Sequence, residues 1–299
     1  MDPRIKKILK NPKMLFFTLG HREFLNFIND KKYIEIAYKI KFGKKPNLND
    51  PKTFNEKLQW LKLNDRNPLY TTLVDKYEVK KHVADKIGEE YVIPTLGVWD
   101  NFDDIDFDSL PKEFVLKCSH DSGGLIICKN KDSLDIKKAK KKINACLKHN
   151  FFWGQREWPY KNVKPRIIAE KFMKDRDYEC LNVFKIFNFN GEPKIIQTIQ
   201  NDKTQNETID YFDTEWNLLE LKQNFPNSDH PIERPDTLEE MLNLAKILSK
   251  DTSPFIRTDF YEINGKVYFS EFTFYSDSGL AKFTPSDWDL KLGNLINLK

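Results

Sequence analysis

Four polar side chains, Arg257, Asp259, Glu271 and Thr273, stand inside the strand-forming run RTDFYEINGKVYFSEFTFYSDSG between Arg257 and Gly279. Carboxylates set into apolar strands need a partner. A hard cation such as Mg²⁺ supplies one, since it takes oxygen ligands and is often shared with substrate phosphates. The alternative is a hairpin whose outer face is solvated and simply carries Arg, Asp and Glu. The elements that must position these groups are two strands, predicted at 255–262 and 266–274 and joined through the turn signal Asn264-Gly265. Side chains alternate faces along a strand, so Arg257 shares a face with Asp259, and Glu271 with Thr273. A two-residue Asn264-Gly265 loop would set Asp259 opposite Ser270 and turn Glu271 away. A three-residue loop of Ile263, Asn264 and Gly265 would pair Glu262 with Lys266 and leave Asp259 and Glu271 diagonal on one face. The second is the expected register, because it gives both carboxylates a common task.

A second candidate lies at 114–128, FVLKCSHDSGGLIIC. Two apolar runs flank a glycine-containing loop. Strand, glycine loop, strand is one way to cradle phosphate, because glycine lets backbone N–H groups approach the oxygens. Lys117 adds charge at its mouth. The spacing is not that of a P-loop, and an ordinary hairpin with a Gly-Gly turn reads the same way. RIIAEKF at 166–172 is a predicted strand carrying Glu170. NVFKIFNFNGEPKIIQTIQ is a second predicted hairpin, turning at Asn190-Gly191, with Lys185 in its first strand, where a lysine snorkels or meets an anion.

Around these pieces the chain is folded and charge-balanced: 39% hydrophobic, 31% charged, 23 Phe in 299 residues, and a net charge of +4. That balance gives no argument for nucleic acid, though it allows a local basic patch for an anionic ligand. Cys118, Cys128, Cys146 and Cys180 have no CxxC spacing and are expected as free thiols in a reducing compartment, the cytoplasm. LFFTLG near the N-terminus is too short to span a membrane. The lysine- and aromatic-rich segment up to Phe42 is expected to be an amphipathic helix packed on the core, with a membrane surface as the other reading. One or two helices are predicted within 1–45. Thr53 and Glu56 form a capping box for a helix to Leu63. A further helix is predicted over 70–87, ending at Gly88. Helices are also predicted at 135–148 and from Leu238 to Leu248. The aromatic connection FFWGQREWPYKNVKPR reads as a substrate-facing loop or a packed strap.

In order, PKTFNEKLQWLK, LVDKYEVKKHVADKIG, FVLKCSHDSGG, REWPYKNVKPRIIAEKF, FNFNGEPKIIQ and the RTDFYEINGKVYFSEFTFYSDSG hairpin resemble the ATP-grasp superfamily, specifically its TupA-like (teichuronopeptide-synthesis) branch. The resemblance implies an α+β, ATP-grasp fold: two α+β lobes clamping ATP behind a mostly helical N-terminal region at 1–74. The first lobe would span 75–165 with a glycine-rich lid, and the second 166–299 with the metal hairpin. By the same resemblance, ATP is bound by Lys76, Lys117, the loop residues His120, Ser122, Gly123 and Gly124, the inter-lobe residues Glu170, Lys171, Phe172 and Met173, and Lys185. Mg²⁺ falls to Asp259 and Glu271, with Thr273 where many relatives have Asn. Arg257 and Lys117 are the catalytic cations, and Ser276, Asp277, Ser278 and Gly279 contact substrate.

The implied reaction joins a carboxylate to an amine through an acyl phosphate. The substrates would be small molecules or nucleotide sugars of surface polysaccharide biosynthesis, with peripheral association with a membrane-bound assembly. A kinase on the same fold would stop at the phosphorylated product. A glycosyltransferase is the other reading, with the DxD-like run Asp104-Ile105-Asp106 in the polar stretch FDDIDFD.

Overall fold

The structure, a computed structural model, describes residues 13–121, 123–176, 180–200 and 205–298. In chain order the helices are α1 (Lys13–His21), α2 (Asp30–Phe42), α3 (Phe54–Asn64), α4 (Leu69–Val74) and α5 (Glu78–Ile87), then α6 (Ile136–Leu147), α7 (Phe152–Gln155), α8 (Leu238–Ser249) and α9 (Trp288–Asn294). The strands are β1 (Thr95–Trp99), β2 (Phe114–Cys118), β3 (Leu125–Cys128), β4 (Ile167–Lys171), β5 (Asn182–Phe189), β6 (Glu192–Gln200), β7 (Thr208–Phe212), β8 (Lys222–Gln223), β9 (Phe255–Ile263), β10 (Lys266–Thr273) and β11 (Phe283–Thr284). No helix of the described residues is long and apolar enough to cross a membrane.

Two antiparallel sheets carry the site. The smaller has the order β1-β4-β2-β3 and buries one face under α6, with Phe114, Leu116, Ile143 and Ile167 in its core. The larger, β10-β9-β5-β6-β7, is backed by α8 and by α3 to α5. Its core joins Phe54, Leu58 and Leu73 from these helices to Phe187, Phe255, Phe260 and Leu248. The chain from Phe54 to Val74, expected within a separate helical region, is therefore part of the larger sheet's core, because its apolar stripe has that sheet to cover. β4 pairs with β1 and β2 and so belongs to the smaller sheet, although the expected lobe boundary placed it in the second lobe.

Local sequence explains most element ends. The capping box at Thr53 and Glu56 forms as expected. The single helix predicted over 70–87 is two helices, broken at Asp75. The Asp75 carboxylate accepts from the N–H groups of Tyr77 (2.9 Å) and Glu78 (3.4 Å) and so starts α5 anew, while Lys76 N–H bonds to Ser119 O at 3.0 Å. The break frees Lys76 from any helix. The β9–β10 turn also departs from expectation. Ile263 pairs with Lys266, so the loop is the two-residue Asn264-Gly265, with φ of 52° and 73° as a type I′ turn requires.

After β10 the backbone runs through three consecutive left-handed residues, Asp277 (φ 47°), Ser278 (φ 55°) and Gly279 (φ 62°). Helix α3 fixes this turn: Gln59 Nε2 donates to Ser278 O and Gly279 O, and Asn55 Nδ2 to Ala281 O. A Cβ on Gly279 would lie 2.5 Å from Gln59 Nε2 and 2.9 Å from Leu58 Cβ. Gly279→Ala is therefore expected to cost about 1–3 kcal/mol in urea unfolding, and an unchanged midpoint would show that the turn does not need glycine.

Candidate active site

The centre of the larger sheet carries one polar row. Glu271 on β10 faces Asp259 on β9, Asp259 faces Lys185 on β5, Lys185 faces Gln197 on β6, and Gln197 faces Tyr211 on β7. With the two-residue turn alone, Asp259 would face Ser270. A bulge between Phe269 and Glu271 absorbs Ser270 and brings Glu271 directly opposite Asp259. The two carboxylates thus share a face, as expected, by a bulge rather than by a longer loop, and they are opposed rather than diagonal. On one side of this row lies an apolar one, Tyr268, Tyr261 and Val183; on the other lie Thr273 and Arg257.

Arg257 is the most heavily bonded of the expected residues. Its Nε and Nη2 donate to the two Asp259 carboxylate oxygens, both at 2.7 Å. Nη2 also donates to Thr273 Oγ1 at 3.0 Å, and Nη1 to Ser276 Oγ at 3.4 Å. Burial pulls the Arg257 pKa down, but Asp259 and then Glu271 hold it above the ordinary value. Burial raises the Asp259 pKa against Arg257 and Lys185. Glu271 is also pushed up by burial, yet Lys76, Arg257, Lys185 and Lys117 together hold it below the usual carboxylate range. Lys185, the lysine with the weakest sequence signal, is therefore at the heart of the row.

The smaller sheet presents the opposing charges. Glu170 binds two ammonium groups: Lys117 Nζ lies 2.6 Å from Oε2 and Lys80 Nζ 2.6 Å from Oε1. Burial raises the Glu170 pKa, but Lys117 and Lys80 outweigh it and the net is a lowered value. Lys80, on α5, was not singled out in the sequence; three lysine or histidine neighbours on the same helix hid it. Lys76, Lys117, Glu170 and Ser270 line a narrow slot where the two sheets meet. Lys171 is exposed, Phe172 and Met173 are half-buried, and Lys171 N–H bonds to Pro94 O.

The glycine loop is pinned rather than open. Lys76 Nζ donates to Asp121 O at 2.9 Å, and Gly123 N–H to Asp121 Oδ1 at 2.9 Å. Gly124 is wedged between sulfurs: a Cβ there would lie 2.3 Å from Cys118 Sγ and 2.6 Å from Cys146 Sγ. His120, expected to touch the nucleotide, turns its side chain the other way. Its Nε2 meets the carbonyls of Cys146 (3.3 Å) and His149 (3.1 Å), where it donates, and burial lowers its pKa. Ser122 lies outside the described residues.

At the far end of the β9–β10 hairpin, Ser276 and Gly279 are buried, and Ser278 Oγ donates to the buried carboxylate of Glu157. Lys62 on α3 is buried beside them and donates to Ser278 O at 2.8 Å and Gln155 O at 3.0 Å. Burial pulls the Lys62 pKa down to about 8 against the pull of Glu157. Sequence patterns missed both residues, although the aromatic connection holding Glu157 had been marked as a substrate loop or a strap. It is a strap on one side, where buried Arg156 donates to Leu25 O and stacks 4.2 Å from Tyr33, and a wall of the site on the other. Asp277 accepts from Gln223 (2.8 Å) and Asn224 (3.1 Å), closing a cleft that reaches back to Lys185 and Arg257. The acidic run at 104–106 is spent locally: Asp104 accepts from Asn101, and Asp106 from the N–H groups of Asp108 and Ser109.

No cluster of three or more His, Cys, Asp or Glu stands among the described residues as an all-protein metal cage. Two opposed carboxylates with a hydroxyl nearby are instead hard oxygen donors of the kind that suit Mg²⁺ shared with substrate phosphates. Asp259 and Glu271 fit that ion. Thr273 offers a weaker oxygen, already accepting from Arg257.

Two antiparallel sheets face each other across a cleft, one bearing the carboxylate hairpin and the other a glycine loop with its lysine, and this arrangement defines an ATP-grasp protein. A family model described as TupA-like ATP-grasp matches residues 56–297, and the chain belongs to that family. Among solved structures it is similar to D-alanine–D-alanine ligase from Bacillus anthracis complexed with ATP, at 18% identity and TM-score 0.45, covering 75% of this chain and 63% of that one. The corresponding ligase from Helicobacter pylori is 16% identical, with TM-score 0.44 and coverage of 82% and 69%. N5-carboxyaminoimidazole synthetase from Staphylococcus aureus is 15% identical, with TM-score 0.42 and coverage of 76% and 53%. The chain thus spans less than two thirds of the first and third of these. No curated protein sequence matches it.

The Glu170 cluster makes a pH-dependent contribution with a definite sign. A carboxyl whose folded pKa lies below its unfolded value, about 4.3, stabilises above that pH and loses the contribution as pH falls through the folded value. Glu170→Gln leaves two largely buried ammonium groups without a counter-charge and is expected to cost about 2–4 kcal/mol at neutral pH. Unfolding midpoints of wild type and variant should converge as pH falls below about 4. A gap that persists in acid would mean that the loss is not electrostatic.

Proposed function

We propose that the protein is an ATP- and Mg²⁺-dependent carboxylate–amine ligase. In this reading it joins an amino acid or small amine to a uronic acid or a peptide side chain, in the cytoplasmic stage of surface or capsular polysaccharide biosynthesis. The observation that carries the chemistry is the row Glu271–Asp259–Lys185, flanked by Arg257 and opposite Lys76 and Lys117. Phosphoryl transfer asks little covalent help from a protein. It asks for positioning and for positive charge at the transferring oxygens.

Asp259 and Glu271 would hold Mg²⁺, which would supply positive charge to neutralise the phosphates. Lys76, Lys117 and Lys185 bind the phosphates, with Glu170 holding Lys117 at its station. Tyr261 and Val183, on the same sheet face, offer an apolar floor for the base. The substrate carboxylate oxygen attacks the γ-phosphorus and ADP leaves. Arg257 stabilises the charge that develops. The amine nitrogen then attacks the acyl carbon, phosphate departs, and the nitrogen gives up one proton as the amide forms. The Gly123-Gly124 loop covers this step and keeps water from the acyl phosphate.

The sugar-acid assignment is supported by the cleft beyond Lys185. Its volume is about 210 Å³, and Gln197, Gln223, Asn224 and Asp277 line it, with Lys185 and Arg257 at the metal end. Two cations suit a carboxylate, and amide side chains suit hydroxyl groups.

The test incubates the protein with ATP, Mg²⁺ and uronic acids crossed against amino acids and small amines, with products read by mass spectrometry. ADP and phosphate formed only with both partners, and a product lighter than their sum by one water, is the expected result. Glu271→Gln and Lys117→Ala are each expected to lose about 10²-fold or more in ADP formation. Full activity in both variants would overturn the site assignment. A stable phosphorylated acid or alcohol without amine would make the protein a kinase, and sugar release from a nucleotide sugar without ATP a transferase.

A further inference from the structure

The N-terminal segment divides its apolar side chains between two directions. Phe16, Phe17, Leu25 and Ile28 pack inward against Tyr33, Ala37 and Tyr38. Met14, Leu15, Phe24 and Phe27 point outward, and Phe24 and Phe27 are 65% and 83% exposed. A phenylalanine left that open gains nothing from water, and two of them three residues apart make an apolar tip beside α1.

Charge is unbalanced around it: residues 14–41 hold five Lys and Arg against three Asp and Glu, a net charge of +2. The structure then removes the local acids from play. Glu23 accepts from Asn150 N–H at 2.9 Å, Asp30 pairs with Arg66 at 3.1 Å and faces Arg156 at 3.4 Å, and Glu35 pairs with Lys45 at 3.4 Å. Arg22, Lys31, Lys32 and Lys39 stay exposed.

We infer that this tip docks the protein on an anionic lipid surface: Phe24 and Phe27 enter the headgroup–acyl boundary, and the exposed cations around them meet lipid phosphates. Aromatic side chains flanked by uncompensated Lys and Arg are the pattern of interfacial binding, where apolar burial and attraction to anionic lipid act together. A second copy of the chain is the poorer occupant, because two faces of the same excess charge repel. The strap from Arg156 to Leu25 and Ile28 ties this tip to the connection that holds Glu157, so the docked surface is rigidly joined to the site.

The test is co-sedimentation of the full chain with large vesicles, either pure phosphatidylcholine or phosphatidylcholine with about one third phosphatidylglycerol. Pelleting with the anionic vesicles at low salt, and release at high salt, is expected. Phe24→Ser with Phe27→Ser should lower the partition about tenfold or more, and Arg22→Glu with Lys32→Glu about tenfold. All four side chains are exposed, so thermal unfolding should not change. No pelleting, equal pelleting with neutral vesicles, or equal partition of wild type and the Phe variant would overturn the inference. So would self-association in sedimentation velocity that the Phe variant abolishes, without vesicle binding.

Discussion

The site depends on keeping charges buried in the middle of a sheet. Arg257 grips both oxygens of Asp259 from two residues away on the same strand. Taking two such ions out of water costs several kcal/mol each, and the pair alone does not recover that. What recovers it is the assembly around the pair. Lys185 faces Asp259 from one neighbouring strand and Glu271 from the other, and Lys117 on the second sheet and Lys76 in the break before α5 add positive charge that acts on Glu271. Across the cleft, Lys80 and Lys117 flank Glu170, and Lys76 lines the same slot. Cations gathered on both sides of a gap in this way suit an anionic ligand.

How much of this was legible in the sequence depended on whether a signal was local. The Asn264-Gly265 turn, the capping box at Thr53 and the strands of both hairpins follow from residues a few positions apart, and all appear in the structure. Asp259 and Glu271 were read correctly as one pair for a mistaken reason. The bulge at Ser270 leaves no mark in composition, because a serine in a strand looks like any half-exposed residue. His120 was assigned to the nucleotide by its place in the glycine loop. The carbonyls that claim it come from the end of α6, more than twenty-five residues downstream.

The residues missed altogether share one property: their partners are distant. Lys62 is a lysine on a charged helix until that helix is laid against the turn after β10, more than two hundred residues later. There its apolar surroundings and the carbonyls of Gln155 and Ser278 make it a structural cation. The same helix supplies Asn55 and Gln59, at i and i+4 from one another, to the same turn. A region that looked like an extension in front of the fold is thus the clamp that holds three left-handed residues in the turn after β10. Strain of that kind persists only where neighbours over-determine it, and here the neighbours lie on α3.

That clamp bears on how Arg257 can serve two masters. Its two bonds to Asp259 are short and parallel, and they leave Nη1 with a single contact, 3.4 Å from Ser276 Oγ. A donor at that distance is nearly free to be taken by a better acceptor. Ser276 cannot follow an incoming ligand away from the arginine, because the turn it begins is pinned by Gln59, Lys62 and the Ser278–Glu157 bond. An oxyanion arriving between the hairpin and the turn therefore meets an arginine already oriented by Asp259, with one N–H group unspent and no side chain to be moved. Preorganised donors of this kind stabilise developing charge without a reorganisation cost at the moment of reaction. The pairing of Arg257 with Asp259 thus aims the guanidinium, and the pinned turn leaves Nη1 facing only Ser276 Oγ.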